Sequence, residues 1–208
     1  MTTVYHAKEF LPEGVELLLA SASPRRRELI AALDIPFTVR VAEVEETLAP
    51  GISPAEAVVT LAVRKARAAA RAFRDRPLIL AADTLVEQDG TPLGKPRDEA
   101  DARRMLLSLS GREHRVHTGV AVAYRGRLLS GHAETAVWMR PFDETEADAY
   151  IRTGEPMDKA GAYGIQGLGG QFVTHIDGDF DTVVGLSLRL SDALLCEALH
   201  PAPESDDI

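Results

Sequence analysis

The stretch Val15-Glu16-Leu17-Leu18-Leu19-Ala20-Ser21-Ala22-Ser23-Pro24-Arg25-Arg26 predicts a buried strand followed directly by a helix. Its first half, Val15 to Ala20, is almost wholly apolar, which is typical of a buried strand. Ser23 and Pro24 are the residue types preferred at the N-cap and at the first position of a helix, and we expect this helix to run to about Leu33. Strand-like and helix-like runs alternate along the rest of the chain, which indicates an α/β fold.

The same signals predict the other main elements. We expect a buried strand from Pro77 to Ala82 that ends at Asp83-Thr84, and two paired strands, Val116 to Tyr124 and Ala133 to Met139, around a turn at Arg125-Gly126. Helices are expected from the Ser53-Pro54-Glu56 capping box to Phe73, from Asp98 to Gly111, from Asp143 to Gly154 and from Val184 to Leu199. Without an internal repeat or a linker-like segment, we expect one domain over residues 1–208, with flexible ends at about 1–13 and 201–208.

Composition narrows the class of protein. The chain has 208 residues, 45% of them hydrophobic and 26% charged, which is typical of a soluble globular protein, and no apolar run approaches the roughly 18 residues of a membrane span. The single cysteine, Cys196, excludes an intrachain disulfide and a multi-cysteine metal site. We therefore expect a cytoplasmic protein that binds no membrane.

The net charge of −9 argues against binding to long nucleic acid, which needs an excess of positive charge. A nucleotide needs only a local basic pocket. The turn after the first strand offers one, since backbone N–H groups and the helix dipole favour an anion there. Arg25 and Arg26 add bidentate donors for phosphate oxygens. The alternative is that these arginines pair with nearby glutamates or point into solvent.

Asp83 is the second functional candidate, because the carboxyl ends of strands are where open α/β sheets place ligands. Its carboxylate could orient or deprotonate a water molecule or hold a divalent metal. An aspartate in this position also commonly caps the following turn.

Lys65 falls on the apolar face of its predicted helix, so its charge needs a partner or must reach the surface along its own side chain. Glu45, Glu46 and a ligand phosphate are the alternatives for that partner. The two glutamates would form a Mg²⁺ or Mn²⁺ site if they lay near Asp83; otherwise they belong to a solvated acidic loop. Lys95 is either a phosphate ligand or an ordinary loop lysine.

Two further features are open from the sequence alone. The segment Gly161 to Gly170 contains five glycines, which suits either a close approach to a ligand or a tight, irregular connection. His114 and His117 are three residues apart and would point to opposite faces of a strand, so we expect structural roles rather than a shared metal site. The chain lacks the Rossmann, P-loop and nucleophile-elbow motifs.

A series of motifs resembles the Maf family in order and spacing, over nearly the whole chain. These motifs are Leu19 to Arg26, Glu45 to Thr47, Leu61 to Ala66, Ala82 to Thr84, Gly94 to Pro96, Leu109 to Gly111, Asp158 to Gly167 and Val184 to Leu186. The resemblance implies an elongated, curved mixed sheet flanked by helices, with a cleft between two lobes, similar to inosine triphosphate pyrophosphatases. It also implies metal-dependent hydrolysis of a nucleoside triphosphate to the monophosphate and pyrophosphate, removal of unwanted nucleotides, a link to septum formation and division arrest, and a homodimer.

The resemblance also assigns roles to residues. Phosphate-binding positions are matched by Ser21, Arg25, Arg26, Lys65 and Lys95. Asp83 matches the acceptor of the proton from water, and Glu46 its acidic partner at a Mg²⁺ or Mn²⁺ ion. Arg26, Thr84 and Gln166 resemble the branch that acts on dTTP and UTP rather than the branch that acts on 7-methyl-GTP. Ser187 departs from the proline that is usual in the family, at the start of the last helix.

Three rival functions remain at this point. The protein could be a nucleotide-binding regulator of cell division whose hydrolysis is incidental, an enzyme of the same fold for purine or modified nucleotides, or a non-catalytic α/β domain. Turnover of different nucleoside triphosphates distinguishes these alternatives.

Overall fold

The computed structural model describes residues 3–75 and 78–200, and the expected C-terminal tail at 201–208 lies outside this part. The helices and strands are, in chain order, β1 Leu17–Leu19, α1 Pro24–Ile30, β2 Phe37–Val39, α2 Pro54–Ala72, β3 Leu78–Gln88, β4 Thr91–Leu93, α3 Glu99–Leu109, β5 Glu113–Tyr124, β6 Arg127–Met139, α4 Glu144–Ile151, β7 Val173–Asp177, α5 Phe180–Val184 and α6 Leu188–Leu199. Short 3₁₀ helices lie between several of them.

One mixed sheet runs through these residues and confirms the predicted α/β class. Its strand order is β2-β1-β3-β5-β6-β7, with β4 paired to β3 off this path. β2, β1 and β3 are parallel to one another, whereas β5 is antiparallel to β3, β6 to β5 and β7 to β6. The parallel strands are connected through α1 and α2, as parallel pairing requires, and short turns join β3 to β4 and β5 to β6. Helix α3 lies between β4 and β5, and α4 lies between β6 and β7.

A gap in the sheet edge lies along β3. The register with β1 ends where Leu19 faces Leu80, and the register with β4 begins where Val86 faces Leu93. Between these two points no strand pairs with this edge of β3 among the described residues, although β5 pairs with the opposite edge throughout. The backbone and side chains of β3 are therefore accessible here from the side.

Helices cover both faces of the sheet. On one face of the sheet, the core contains apolar residues of α6 together with Leu17, Leu19 and Leu186. On the other face, Ala62 and Ala66 of α2 pack against the strands. A third core lies towards the other end of the sheet and contains residues of α3 and α4. The gap in the edge of β3 lies between the first core and the third.

Helix α2 lies unusually close to the sheet because Gly119 of β5 has no side chain. A Cβ atom at Gly119 would lie 2.4 Å from the backbone carbonyl of Val58, well inside van der Waals contact. The capping box expected at the start of this helix is present: Ser53 Oγ accepts a hydrogen bond from Glu56 N, and the Glu56 carboxylate accepts one from Ser53 N. The capping box thus fixes the start of α2, and Gly119 of a distant strand allows the helix to approach the sheet closely.

Most predicted elements are confirmed, with three corrections. Strand β6, expected to begin at Ala133, already begins at Arg127, directly after the Arg125-Gly126 turn. The strand expected to end at Asp83 continues to Gln88, because β5 keeps pairing with it as far as Glu87. The helix expected at 184–199 begins only at Leu188, as α6. Val184 instead ends a separate short helix, α5, which the sequence did not predict, and Gly185, whose φ of 128° is outside the helical region, follows it. Ser187 then serves as the N-cap of α6, accepting from Leu190 N.

Three short strands, β2, β4 and β7, were not predicted. Strands of three to five residues carry too few side chains to show a period of two. Within the expected flexible tail at 1–13, Ala7–Phe10 form a 3₁₀ helix, and Ala7 is buried with its N–H donated to Asp192 of α6. This part of the tail is therefore packed against the fold. Over residues 3–75 and 78–200, every helix is too short or too polar to cross a bilayer.

Candidate functional site

A cleft of about 740 Å³ opens at the gap in the edge of β3. All the site residues selected from the sequence line it: Ser21, Arg25, Arg26, Glu46, Lys65, Asp83, Thr84, Lys95 and Gln166. Asp83 and Thr84 point to opposite faces of the sheet, as successive strand residues do. Both reach the cleft because the open edge of β3 exposes the strand on each face. The segments that follow β1 and β4 flank the gap and supply Ser21 and Lys95.

Lys65 joins two carboxylates at the centre of the cleft. Its Nζ donates a hydrogen bond to Asp83 Oδ1 at 2.6 Å and lies 2.7 Å from Glu46 Oε1. The side chains of Lys65 and Asp83 are only 18% and 15% exposed, whereas that of Glu46 is 61% exposed. The hydrogen bond from Lys65 lowers the pKa of Glu46. Lys65 is thus paired with two carboxylates. Glu46 was one of its expected partners, whereas Asp83 was not.

The backbone around Glu46 is held to α2 by Arg64, the residue before Lys65. Its guanidinium NH1 donates to the carbonyl oxygens of Glu45 and Thr47, at 3.1 and 2.6 Å. These two bonds fix the chain on either side of Glu46 and direct that carboxylate towards Lys65. Glu45 is not among the residues that line the cleft, so the expected pair of glutamates contributes one carboxylate to the site.

Arg26 connects three parts of the cleft wall. Its guanidinium donates to the Gly185 carbonyl oxygen at 2.7 Å, to Ser21 Oγ at 3.3 Å and to Thr84 Oγ1 at 3.1 Å. These acceptors are neutral, so the hydrogen bonds do not cancel the positive charge. Burial lowers the pKa of Arg26, while the nearby Asp83 opposes that shift. The break between α5 and α6 has a consequence here, since it places the Gly185 carbonyl beside Arg26.

The cleft is also lined by Asp158 and Lys159, to which the sequence assigned no role. Lys159 Nζ donates to Asp158 Oδ1 at 2.7 Å and to the Glu155 carbonyl oxygen at 2.6 Å. Arg25 NH1 lies 3.9 Å from Asp158 Oδ2. Burial is the largest single effect on the pKa of Asp158 and raises it, but the hydrogen bond from Lys159 and the positive charges of Lys159 and Arg25 together lower the pKa below its ordinary value. Their position in a glycine-rich motif was the available signal.

The glycine-rich segment wraps around the side chain of Glu155. The carboxylate accepts hydrogen bonds from the N–H groups of Leu168 and Gly169, at 3.0 and 3.2 Å, and from the Tyr150 hydroxyl at 2.8 Å. A Cβ atom at Gly167 would lie 2.4 Å from that carboxylate, so the close approach requires glycine. The segment is a tight connection that also lines the cleft, where Gln166 is exposed.

The charges in the cleft differ from those of the whole chain. Its lining includes five basic side chains, Arg25, Arg26, Lys65, Lys95 and Lys159, and three acidic ones, Glu46, Asp83 and Asp158. In a chain of net charge −9, this cleft is a local excess of positive charge. Such a region suits a polyanionic ligand of small size.

His114 and His117 lie on opposite faces of β5, as expected from their spacing. His114 Nε2 lies 2.8 Å from the Tyr163 hydroxyl, within the third core, and burial lowers the pKa of His114 to about 4. His117 instead contacts Glu87 and His132 on the other face of the sheet. The two imidazoles therefore share no site.

Comparisons with known proteins agree with the sequence motifs. A family model described as Maf-like protein matches residues 16–198. The dTTP/UTP pyrophosphatase of Vibrio cholerae is 51% identical over 180 residues, which are 86% of this chain and 96% of the relative. The proteins of the same name from Moorella thermoacetica and Symbiobacterium thermophilum are 51% and 47% identical, over 86% and 89% of this chain and 93% and 95% of their own. Among solved structures, the Staphylococcus aureus Ham1 protein is similar with a TM-score of 0.46 and 18% identity, covering 85% of this chain and 88% of its own.

Proposed function

The chain belongs to the Maf family, and we propose on this basis that it is a pyrophosphatase that hydrolyses dTTP and UTP to the monophosphate and pyrophosphate. The observation that carries the proposal is the ion cluster of Lys65, Asp83 and Glu46 in a cleft with an excess of basic residues. A hydrolase for a nucleoside triphosphate needs a proton acceptor beside groups that neutralise phosphate charge, and this cleft contains both.

The triphosphate binds, in this proposal, along the basic side of the cleft. Arg25 and Arg26 offer planar guanidinium groups to phosphate oxygens, and Lys95 and Lys159 offer ammonium groups. The Ser21 hydroxyl, already bonded to Arg26, lies in the same wall. Substrate phosphates would take over the interactions that Arg25 and Lys159 now make with Asp158.

Asp83 accepts the proton of the attacking water in the proposed reaction. Lys65 holds the carboxylate of Asp83 through Oδ1, which restricts its orientation. Because the nucleophilic water attacks the α-phosphate, pyrophosphate is the leaving group. Charge stabilisation and positioning provide most of the catalysis in phosphoryl chemistry, and the fixed cations of the cleft supply these effects.

The donor set fits the Mg²⁺ or Mn²⁺ ion that the family implies. Carboxylate oxygens are the preferred ligands of these hard cations, and Asp83 and Glu46 both approach one point, where the Lys65 ammonium group now lies. That point accommodates positive charge in the structure itself. A bound ion would neutralise phosphate charge there and polarise the phosphoryl oxygens.

The pyrimidine preference rests on Arg26, Thr84 and Gln166. Arg26 and Thr84 are bonded to each other in one wall of the cleft, and Gln166 is exposed in the loop opposite. The amide of Gln166 offers both a donor and an acceptor, which suits the edge of a pyrimidine base.

Turnover of matched nucleotides tests the proposal. Purified protein is incubated with dTTP, UTP, CTP or 7-methyl-GTP and with Mg²⁺ or Mn²⁺, and nucleotide products and pyrophosphate are quantified. We expect dTTP and UTP to be hydrolysed fastest, with monophosphate and pyrophosphate in equal amounts and no diphosphate. A preference for 7-methyl-GTP would refute the proposed pyrimidine specificity. If no substrate released pyrophosphate, the proposed pyrophosphatase activity itself would be refuted.

The cytoplasmic location expected from the composition stays a prediction. The homodimer and the link to cell division, which the resemblance implies, stay predictions as well. For the last, division arrest that persists in an Asp83→Asn protein would assign that role to nucleotide binding rather than hydrolysis.

A further inference from the structure

A second group of polar side chains lies outside the cleft, on the antiparallel part of the sheet. His117 of β5 faces Glu134 of β6 directly in the strand register, and His132 is two residues away from Glu134 on the same face. His117 Nδ1 is 3.0 Å from His132 Nε2 and 3.5 Å from Glu134 Oε2. One nitrogen or oxygen from each of the three residues lies within 4.8 Å of the others.

The hydrogen bonds around His117 leave its Nδ1 as an acceptor. Its Nε2 lies 2.9 Å from Glu87 Oε2, and an imidazole beside a carboxylate donates its N–H to it. The lone pair of Nδ1 then faces His132 and Glu134. Ligating histidines in metalloproteins characteristically donate their second N–H to a carboxylate in this way, which fixes the ring and raises its basicity.

The other two side chains are also held in ligating form. Arg115 NH1 binds Glu134 Oε1, which leaves Oε2 directed at His117. His132 is half-buried, and its Nε2 is directed at His117 Nδ1. Arg115 is the opposing positive charge nearby, and Glu113 lies 3.9 Å from it.

We propose that His117 Nδ1, His132 Nε2 and Glu134 Oε2 bind one divalent transition metal ion, of the class of Zn²⁺, with Glu87 as the partner that orients His117. Two imidazoles and a carboxylate are a ligand set typical of Zn²⁺. Zn–N bonds of about 2.0–2.1 Å at a tetrahedral angle put two ligand nitrogens roughly 3.3 Å apart, close to the separation of the two histidine nitrogens here.

This site is separate from the cleft. His117 faces Leu85, two residues beyond Asp83 on β3, and His132 faces Gly119, which itself faces Asp83, so these ligands lie one and two strands across the sheet from Asp83, at roughly 10 Å. His117, His132 and Glu134 are not among the residues that line the cleft. An ion held here would link β5 to β6 and, through Glu87, to β3, so its effect is on the stability of the sheet, independently of the proposed hydrolysis.

Direct binding measurements test the site on the untagged full chain. With Mg²⁺ in excess to occupy the proposed Asp83–Glu46 site, isothermal titration with Zn²⁺ is expected to show one ion bound per chain. Zn²⁺ is also expected to raise the Tm and to shift the NMR imidazole signals of His117 and His132. His132→Ala and Glu134→Gln are each expected to weaken binding at least about tenfold, as loss of a ligand does. His132 is partly exposed, and the Tm of each apo variant shows whether it folds normally.

Two matched variants locate the ion. His175→Ala removes an exposed histidine elsewhere on the sheet and is expected to leave Zn²⁺ affinity unchanged. Asp83→Asn alters the cleft and is also expected to leave it unchanged. The proposal is overturned if wild-type protein binds no Zn²⁺, if folded His132→Ala and Glu134→Gln bind as wild type does, or if Asp83→Asn abolishes binding while His132→Ala retains it. None of these results would bear on the proposed pyrophosphatase activity.

Discussion

Lys65 determines the arrangement of charge in the cleft. A buried ammonium group is unfavourable unless it is paired, and here it is paired with two carboxylates from different parts of the chain. Asp83 comes from the middle of β3 and Glu46 from the loop before α2. One lysine therefore brings the proposed proton acceptor and the proposed metal ligand to the same point.

Asp83→Asn is expected to lower kcat for dTTP by about 10²–10⁴-fold, the usual contribution of a positioned general base. The amide cannot accept the proton of water, but it retains the shape of the side chain, so we expect KM to change by less than about threefold. Steady-state kinetics measure both values. Asp89→Asn, at an exposed turn, is the matched control and should behave as wild type; equal turnover in wild type and Asp83→Asn would refute the role.

Lys65→Met is expected to raise the pKa of Glu46. The hydrogen bond from Lys65 is the largest cause of its low pKa, and without that cation Glu46 and Asp83 repel each other. In wild type, a depressed pKa means that Glu46 contributes stability above its unfolded pKa and that this is lost as pH falls through the folded value. Carboxyl NMR titration of both proteins measures the shift, and an unchanged Glu46 pKa would contradict the proposed coupling.

Between the elements, the decisive feature is the interrupted edge of β3. Pairing with β1 stops at Leu80 of β3, and pairing with β4 begins only at Val86 of β3, so β3 is exposed between these two residues. Chain segments leaving β1 and β4 then flank the gap, and α2 covers it on one face. Ligand sites in α/β sheets occur where strands end in this manner.

Gly119→Ala is expected to destabilise the fold by about 1–3 kcal/mol, the usual range for overpacking. The added Cβ would overlap the backbone of Val58, so α2 must move away from the sheet, and Lys65 moves with it. Urea unfolding measures the loss of stability, and we expect kcat to fall as well.

Gly131→Ala provides the comparison for this variant. Its added Cβ would meet the terminal Cδ1 of Leu190 at 2.8 Å, a flexible side-chain end that can rotate away. We expect a clearly smaller loss of stability and no change in kcat. If the two substitutions had equal effects, the close approach of α2 to the sheet would not be the reason that position 119 requires glycine.

Across the whole molecule, charge is unevenly distributed. The chain has a net charge of −9, yet basic side chains outnumber acidic ones in the cleft. The acidic exterior disfavours long polyanions, while the cleft attracts a short one. This distribution predicts a preference for free nucleotides over nucleic acid.

Raising NaCl from about 50 to 500 mM is expected to increase KM for dTTP several-fold at constant free Mg²⁺, because salt screens the cations that bind the triphosphate. Lys159→Gln should raise KM at low salt and make its salt dependence shallower, since one cation is removed from the cleft. Lys8→Gln is the matched control, because Lys8 lies in the N-terminal segment and does not line the cleft. A KM that does not respond to salt would contradict binding by this group of cations.

The sequence by itself determined most of the local structure and predicted nine residues that line the cleft. Caps at Ser23, Ser53, Asp98 and Asp143 and the β5–β6 hairpin are short-range features, since each depends on residues close together in the chain. The motifs that resemble a known family also pointed to every predicted residue of the cleft. The catalytic and binding roles of those residues stay predictions until variants are measured.

Only the tertiary structure decided how these residues meet. Asp83 lies within a strand rather than at its end, because pairing with β5 extends β3 beyond the point where β1 stops. Glu46, rather than Glu45, faces Lys65 because Arg64 holds the loop. The His117 group likewise depends on the register of β5 and β6. Such contacts join residues distant in sequence, and their geometry follows from packing and strand pairing, which local patterns do not encode.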